Sequence, residues 1–421
     1  MTKKLILFVL SIIILSSMLF SYPFRAWNHN LNPALFDYRS RFFLELGLST
    51  DLVLNQNLFS FWNEFEKIRE DSVYVINIPE LHTKLDGNDF NLSLFNQTPA
   101  HLLLDLGIIR LGVYGNVDID AKFSVPNDLF SLLAYGNVDG EGNVIDFEGT
   151  KNQKLNVDFE AGVYGSLRFN KISLGVKYGL KLPILVSDKD ASYSYELLTS
   201  DPEVNAKVEV NIPVYSTFHI DDLEYIDQEM ILEQIDLAAH LLHVGFVYGE
   251  KRNTPNWGFA VNNINLRPAL LLWEYVINKE FEFTSDNLLD DLINSEEEEN
   301  VQEFDEDFYN INPISKEYNY PLKASAFITI PFLLNWTPYV EAIFSENIDI
   351  NYGVVAEGRL IFLPFYLGVE NKNDIWHSSL GFRLNLHLAE IYAGIGLSNE
   401  NFFNQLDVNG LSLKINLAAG F

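Results

Sequence analysis

The chain has no cysteine, so disulfides, thiolate nucleophiles and Cys-ligated zinc are all excluded. Basic residues are scarce: 28 Lys and Arg stand against 58 Asp and Glu, a formal charge of −30 over 421 residues. Phosphate backbones need cations to displace their counterions, so no nucleic-acid partner is expected. After the first twenty residues no uncharged run approaches the roughly 20 residues of a spanning helix, which excludes a helical membrane bundle. No G-x-S-x-G elbow and no H-E-x-x-H pair occurs. With neither motif, no enzyme and no cofactor is expected, although a hydrolase without a linear motif stays open as a minor alternative.

What is present begins with an export signal. Lys3 and Lys4 precede an apolar stretch from Leu5 to Phe20, and Ser21 is a plausible last residue before cleavage, which gives a signal peptide over 1–21. The rival reading, a retained anchor, is weakened by the shortness of the stretch.

From there to residue 421 the dominant signal is a two-residue rhythm. Side chains of a strand point alternately to its two faces, so a strand between lipid and a polar interior alternates apolar and polar residues. Between Leu111 and Val125 the odd positions are apolar or Gly, and Asp118, Asp120 and Lys122 fall between them. Leu155 to Phe169 keeps its apolar row odd, and Ile172 to Leu182 keeps it even. A two-residue turn at Asn170-Lys171 makes this switch while holding both rows on one face. The same device is expected at Ala389-Glu390, between Leu380–Leu388 and Ile391–Leu397.

Further candidates are Phe42–Leu48, His101–Leu106, Val204–Val214, Leu237–Tyr248, Trp257–Ile264, Leu271–Phe283, Leu322–Ile330, Trp336–Phe344, Ile348–Phe362, Phe365–Val369 and Leu411–Phe421. They bring the count to about 16, with Trp257–Ile264 and Leu271–Phe283 the least secure. Tight links are expected near Gly107–Arg110, Pro331–Asn335 and Leu363-Pro364, and long ones at Pro126–Lys154, Pro183–Glu203, Ser285–Glu317 and Ser398–Gly410. Short inner turns with long outer loops are the asymmetry of a membrane barrel. With the C-terminus inside, the long loops fall outside, except Tyr215–Ile235. A soluble sandwich also alternates, but its strands run about 5–6 residues. The expected fold is therefore all-β, an antiparallel transmembrane β-barrel filling 22–421 as one domain in the bacterial outer membrane.

Two resemblances refine this. The last strand, with Leu413, Ile415, Leu417 and the terminal Phe421, resembles the assembly signal of bacterial outer-membrane barrels, which implies the barrel-assembly machinery and outer-membrane lipid as partners. Asn32-Pro33-Ala34 resembles the opening of FadL-like barrels, the superfamily that includes PorV-like proteins. Lys122–Phe130, Leu133–Asn137 and Leu198–Pro202 resemble an uncharacterised barrel family common in Bacteroidetes. The superfamily implies about 14 strands (range 12–16), passive transport or exchange of small compounds, hydrophobic ones included, or a non-conducting scaffold that escorts surface proteins. It implies no catalytic residues.

The irregular stretch 51–100 is expected to hold a hatch or loop, with short helices over Phe59–Lys67 and Ile78–Leu85. From Ser285 to Asn310 eleven acidic residues occur without Lys or Arg. A solvated acidic outer loop over 285–317 is the plain reading, and Glu296, Glu297, Glu298 and Glu299 are weak candidates for a divalent cation. His240 and His243 invite a zinc reading, but three positions apart on a strand they face opposite ways. Tyr178, Trp336, Phe362, Trp376 and Phe421 are expected at strand ends, as interfacial aromatics. An acidic interior and acidic loops would bias traffic toward cations or neutral solutes.

Overall fold

The computed structural model describes residues 31–38, 42–57, 78–85, 87–127, 131, 148–151, 153–187, 191–200, 203–219, 234–250, 255–284, 310–360, 363–386, 388–402 and 409–421. The export signal, Phe59–Lys67, Phe362 and Glu296–Glu299 lie outside these residues.

Twenty strands follow in chain order: β1 Leu44–Gln56, β2 Phe90–Asp105, β3 Ile109–Val125, β4 Glu148–Lys151, β5 Lys154–Phe169, β6 Ile172–Ser187 and β7 Ala191–Ser200. Next come β8 Glu203–Ser216, β9 Ala239–Tyr248, β10 Trp257–Arg267, β11 Ala269–Thr284, β12 Asn310–Tyr318, β13 Leu322–Ile328 and β14 Ile330–Phe332. The last are β15 Leu334–Phe344, β16 Ile348–Leu360, β17 Leu363–Lys372, β18 Ile375–Asn385, β19 Ala389–Asn399 and β20 Gly410–Gly420. Pro33–Tyr38 forms a 3-10 turn, and Ile78–Leu85 is the expected helix, α1.

Fourteen of these strands close a ring, every neighbour antiparallel. The order is β1, β2, β3, β5, β6, β9, β10, β13, β15, β16, β17, β18, β19, β20 and back to β1. β14 continues β13 along β15. Closure satisfies every edge, which is what lets a sheet stand in hydrocarbon.

The sequence count of sixteen is corrected here. Val204–Val214 and Leu271–Phe283 are strands, but β8 and β11 pair with each other and stay outside the ring. The flank of β6 that β8 would need is taken by β9 over ten residue pairs, and β8 meets β6 only at Val186–Tyr215. Beyond the ring β4, β7, β8, β11 and β12 make a small sheet in that order. It occupies part of what the sequence suggested were the loops Pro126–Lys154, Pro183–Glu203 and Ser285–Glu317.

One end of the ring, the short-link end, carries the tight β2–β3 and β5–β6 links and Phe421, and the other carries the long connections together with the short β15–β16 and β17–β18 links. The Tyr215–Ile235 exception disappears, because the link from β8 to β9 leaves and returns at the long-connection end, where Ala239 pairs with Lys181. Two turn positions also shift. Leu360 pairs with Leu363 and Asn385 with Glu390, so both links sit two residues before Leu363-Pro364 and Ala389-Glu390. Asn170, by contrast, takes the expected left-handed turn conformation, with φ 54°.

The outer surface is apolar. Leu111, Val113, Val163, Leu174, Val176, Leu367, Leu380 and Ile395 all stand exposed on it. Phe246, Trp257 and Tyr248 stack near the short-link end, and Tyr352, Trp376 and Phe402 cluster near the other. Trp336 lies close to a strand end as expected, whereas Tyr178 lies in the middle of β6.

Candidate functional site

The alternation that faces apolar residues outward turns the intervening polar residues into the ring, and two charged networks result. On the β3–β5–β6–β9 side, Glu160 is buried and gathers three partners. Tyr114 Oη donates to its Oε1 at 2.5 Å, Lys177 Nζ lies 3.1 Å away and His243 Nε2 3.5 Å away. The Lys177 ammonium also sits 4.1 Å from the Tyr114 ring centre. Beside this group Lys181 Nζ is shared between Asp118 and Asp158, at 3.3 Å each. Tyr320 Oη donates to Asp158 at 2.6 Å.

The second network lines the wall around β1, β15, β17 and β20. Lys414 meets Asp51 at 2.8 Å, Lys372 meets Glu370 at 3.5 Å, and Tyr339 Oη donates to Glu370 at 2.5 Å. Next to it Tyr339, Val355, Tyr366 and Tyr392 form an apolar cluster. The expected acidic interior carries lysines among its carboxylates: Glu160, Asp118, Asp158, Asp51 and Glu370 each meet one. Burying an ion without a counter-ion costs several kcal/mol, which is why these carboxylates and lysines sit together.

Inside the ring lies the segment Leu31–Tyr38. The Asn32 side-chain amide donates to the backbone carbonyls of Phe246 and Phe259, each at 3.1 Å, and so bridges β9 and β10. Its Oδ1 accepts from Ala34 N at 2.9 Å, which sets the turn into Pro33. The Leu31 carbonyl accepts from Asn262 Nδ2 and from Ser325 Oγ. Leu31 packs on the tyrosine cluster, while Ala34 and Leu35 pack on Val247.

The segment fits because Gly175 and Gly245, opposite each other on β6 and β9, leave the wall flat there. A Cβ at Gly175 would run into the Pro33–Ala34 backbone, and one at Gly245 into the Asn32 side chain. Close approach of this kind is a standard reason for glycine inside a strand. The wall is irregular next to it: β10 bulges between Val261 and Ile264, where Asn263 has φ 57°. Asn263 and Asn265 donate there to the carbonyls of Pro321 and Tyr320.

The sequence motif Asn32-Pro33-Ala34 thus falls on the segment that occupies the lumen. His243 faces inward onto Glu160, and His240 faces outward to Tyr178 Oη at 2.7 Å, so the two cannot share a metal. Leu413 and Leu417 lie exposed on the apolar outer row of β20, and Phe421 is exposed at its end. β20 seals the ring against β1, with Ile415 opposite Thr50 and Leu417 opposite Leu48. Neither charged network is legible as a cluster, because alternation marks each member only as one polar position among many.

No known family model matches the chain, and no curated protein matches it either. Similar solved structures include the P. putida toluene transporter TodX, at 9% identity and a TM-score of 0.48, covering 95% of this chain and 96% of that one. They also include the Ralstonia pickettii toluene transporter TbuX (8%, TM-score 0.44, 94% of each chain) and a Pseudomonas aeruginosa FadL homologue (9%, TM-score 0.47, 93% of each). At these values the likenesses say nothing about cargo.

Proposed function

We propose that the protein is a bacterial outer-membrane barrel for passive passage or exchange of small compounds, hydrophobic ones included. The observation that carries this reading is the segment Leu31–Tyr38, which lies within a polar-lined ring and is held by side-chain hydrogen bonds rather than by a strand. Each such bond contributes about 1 kcal/mol. Breaking a few therefore shifts the docked segment by one or two factors of ten in population, a range suited to gating. The resemblance of Asn32-Pro33-Ala34 to FadL-like barrels belongs to this reading.

The test is solute leak from liposomes containing purified protein. Wild-type protein should leak small neutral solutes, and Asn32→Ala, which removes two wall bonds and the turn, should leak several-fold faster. No leak from either would overturn the reading.

A second reading is a non-conducting scaffold for surface proteins. It is favoured by the sheet β4, β7, β8, β11 and β12, which touches the ring along the end of β6 and is not needed to close it. Capture of a stoichiometric surface partner that is lost when this sheet is removed, together with silent liposomes, would select it.

A further inference from the structure

Among the described residues, the turns at the short-link end divide into two chemically different arcs. Around the ring, the turns joining β14–β15, β18–β19 and β2–β3, with the β20–β1 closure between the last two, present Phe332, Leu333, Leu388, Phe421, Leu106 and Ile108, all exposed. The two that follow, β5–β6 and β9–β10, present Asn170-Lys171 and a link containing Glu250.

Charge placement divides the same way. In the apolar arc, Arg110 pairs with Asp105 at 2.8 Å and Arg383 with Glu390 at 3.6 Å, and all four side chains are nearly buried. In the polar arc, Lys171 and Glu250 meet at 3.9 Å with both side chains in the open. Exposure at one turn is extreme. Asn170, Asn373 and Asp374 hold positive φ in turns, as Asn and Asp readily do, but so does Leu333, at φ 47° and 95% exposed. A leucine held this far out is unfavourable in water, whatever its backbone conformation.

The apolar arc runs on without a break into the outer belt, through Trp336 and Val340 above Leu333 and through Leu384 and Phe382 above Leu388. On the polar side the stacked Trp257 and Tyr248 stand directly above the β9–β10 link, where an interfacial girdle belongs. We propose that the partner of this arc is lipid: the barrel sits tilted, with the β14–β15, β18–β19 and β2–β3 turns inside the leaflet on the short-link side and the β5–β6 and β9–β10 turns in water. The proposal rests on the reading of the outer belt as lipid-facing, and its test separates the two.

Because the chain lacks cysteine, Leu333→Cys, Leu388→Cys, Lys171→Cys and the belt control Leu417→Cys each take one label. The variants are labelled with the fluorophore NBD and reconstituted in phosphatidylcholine vesicles. Each is then exposed to lipid-borne doxyl quencher or to aqueous iodide. Positions 333 and 388 should follow 417, strongly quenched by doxyl lipid and several-fold less by iodide than 171. Iodide quenching at 333 and 388 equal to that at 171 would overturn the tilt while leaving the belt intact. Shielding from both quenchers would also overturn it, because a second copy would then cover the arc. Failure of doxyl lipid to quench 417 would remove the belt and the tilt together.

Discussion

At the scale of single residues, the face a side chain occupies decides its tolerance. Val113 and Asn116 lie three positions apart on β3, one exposed on the outer belt and the other buried inside. Arginine on the lipid face near the midplane costs about 2–4 kcal/mol. Val113→Arg should therefore lower the fraction of heat-modifiable folded barrel on gels far more than Asn116→Ser, with equal losses counting against the assignment of faces. A second contrast concerns Glu160. Removing one partner of a buried pair costs about 3–5 kcal/mol, because the other charge is left uncompensated. Glu160→Gln should lower the unfolding temperature sharply, and combining it with Lys177→Met should recover much of the loss. Those partners lie 17 residues apart on neighbouring strands, and alternation alone singles neither out over other polar positions. Asn32 was legible, but only through a motif. Nothing in its neighbours foretold that it would bridge the carbonyls of Phe246 and Phe259.

At the scale of elements, the strands are legible in the sequence and the membership of the ring is not. Every stretch with a clean two-residue rhythm is a strand, because that rhythm records which side chains meet each face. It does not record the neighbour. β8 and β11 alternate like the rest, and only pairing reveals that β9 and β13 occupy the flanks they would need. A clue was present in β11, where Lys279 interrupts the apolar row of Leu271, Trp273, Tyr275 and Ile277. Strand length carries a related lesson: β2 and β3 have 16 and 17 residues, whereas β18, β19 and β20 have 11 each. At about 3.4 Å per residue, the longer wall rises roughly 17 Å further along the strand, on the side that carries the extra sheet. The two ends of the ring should be distinguishable in intact cells. A membrane-impermeant maleimide should label Glu346→Cys, in the link after β15, without permeabilisation. Lys171→Cys should label only after the outer membrane is opened, and the opposite pattern would invert the topology.

At the scale of the whole molecule, a greasy exterior, a lining of paired charges and a segment docked in the lumen form one physical system. Lipid selects the outer row, the low dielectric within the wall selects the ion pairs, and the flat patch at Gly175 and Gly245 selects the docked turn. All three depend on the orientation of the alternating rows. That orientation can be read position by position along β3. Spin labels placed singly from Leu111 to Phe123 in lipid bilayers report collisions with oxygen, which concentrates in lipid, and with a polar nickel chelate, which does not. Oxygen accessibility should peak at the odd positions and fall at the even ones throughout the stretch. A flat profile, or peaks at Tyr114, Asn116 and Asp118, would contradict the account at its root.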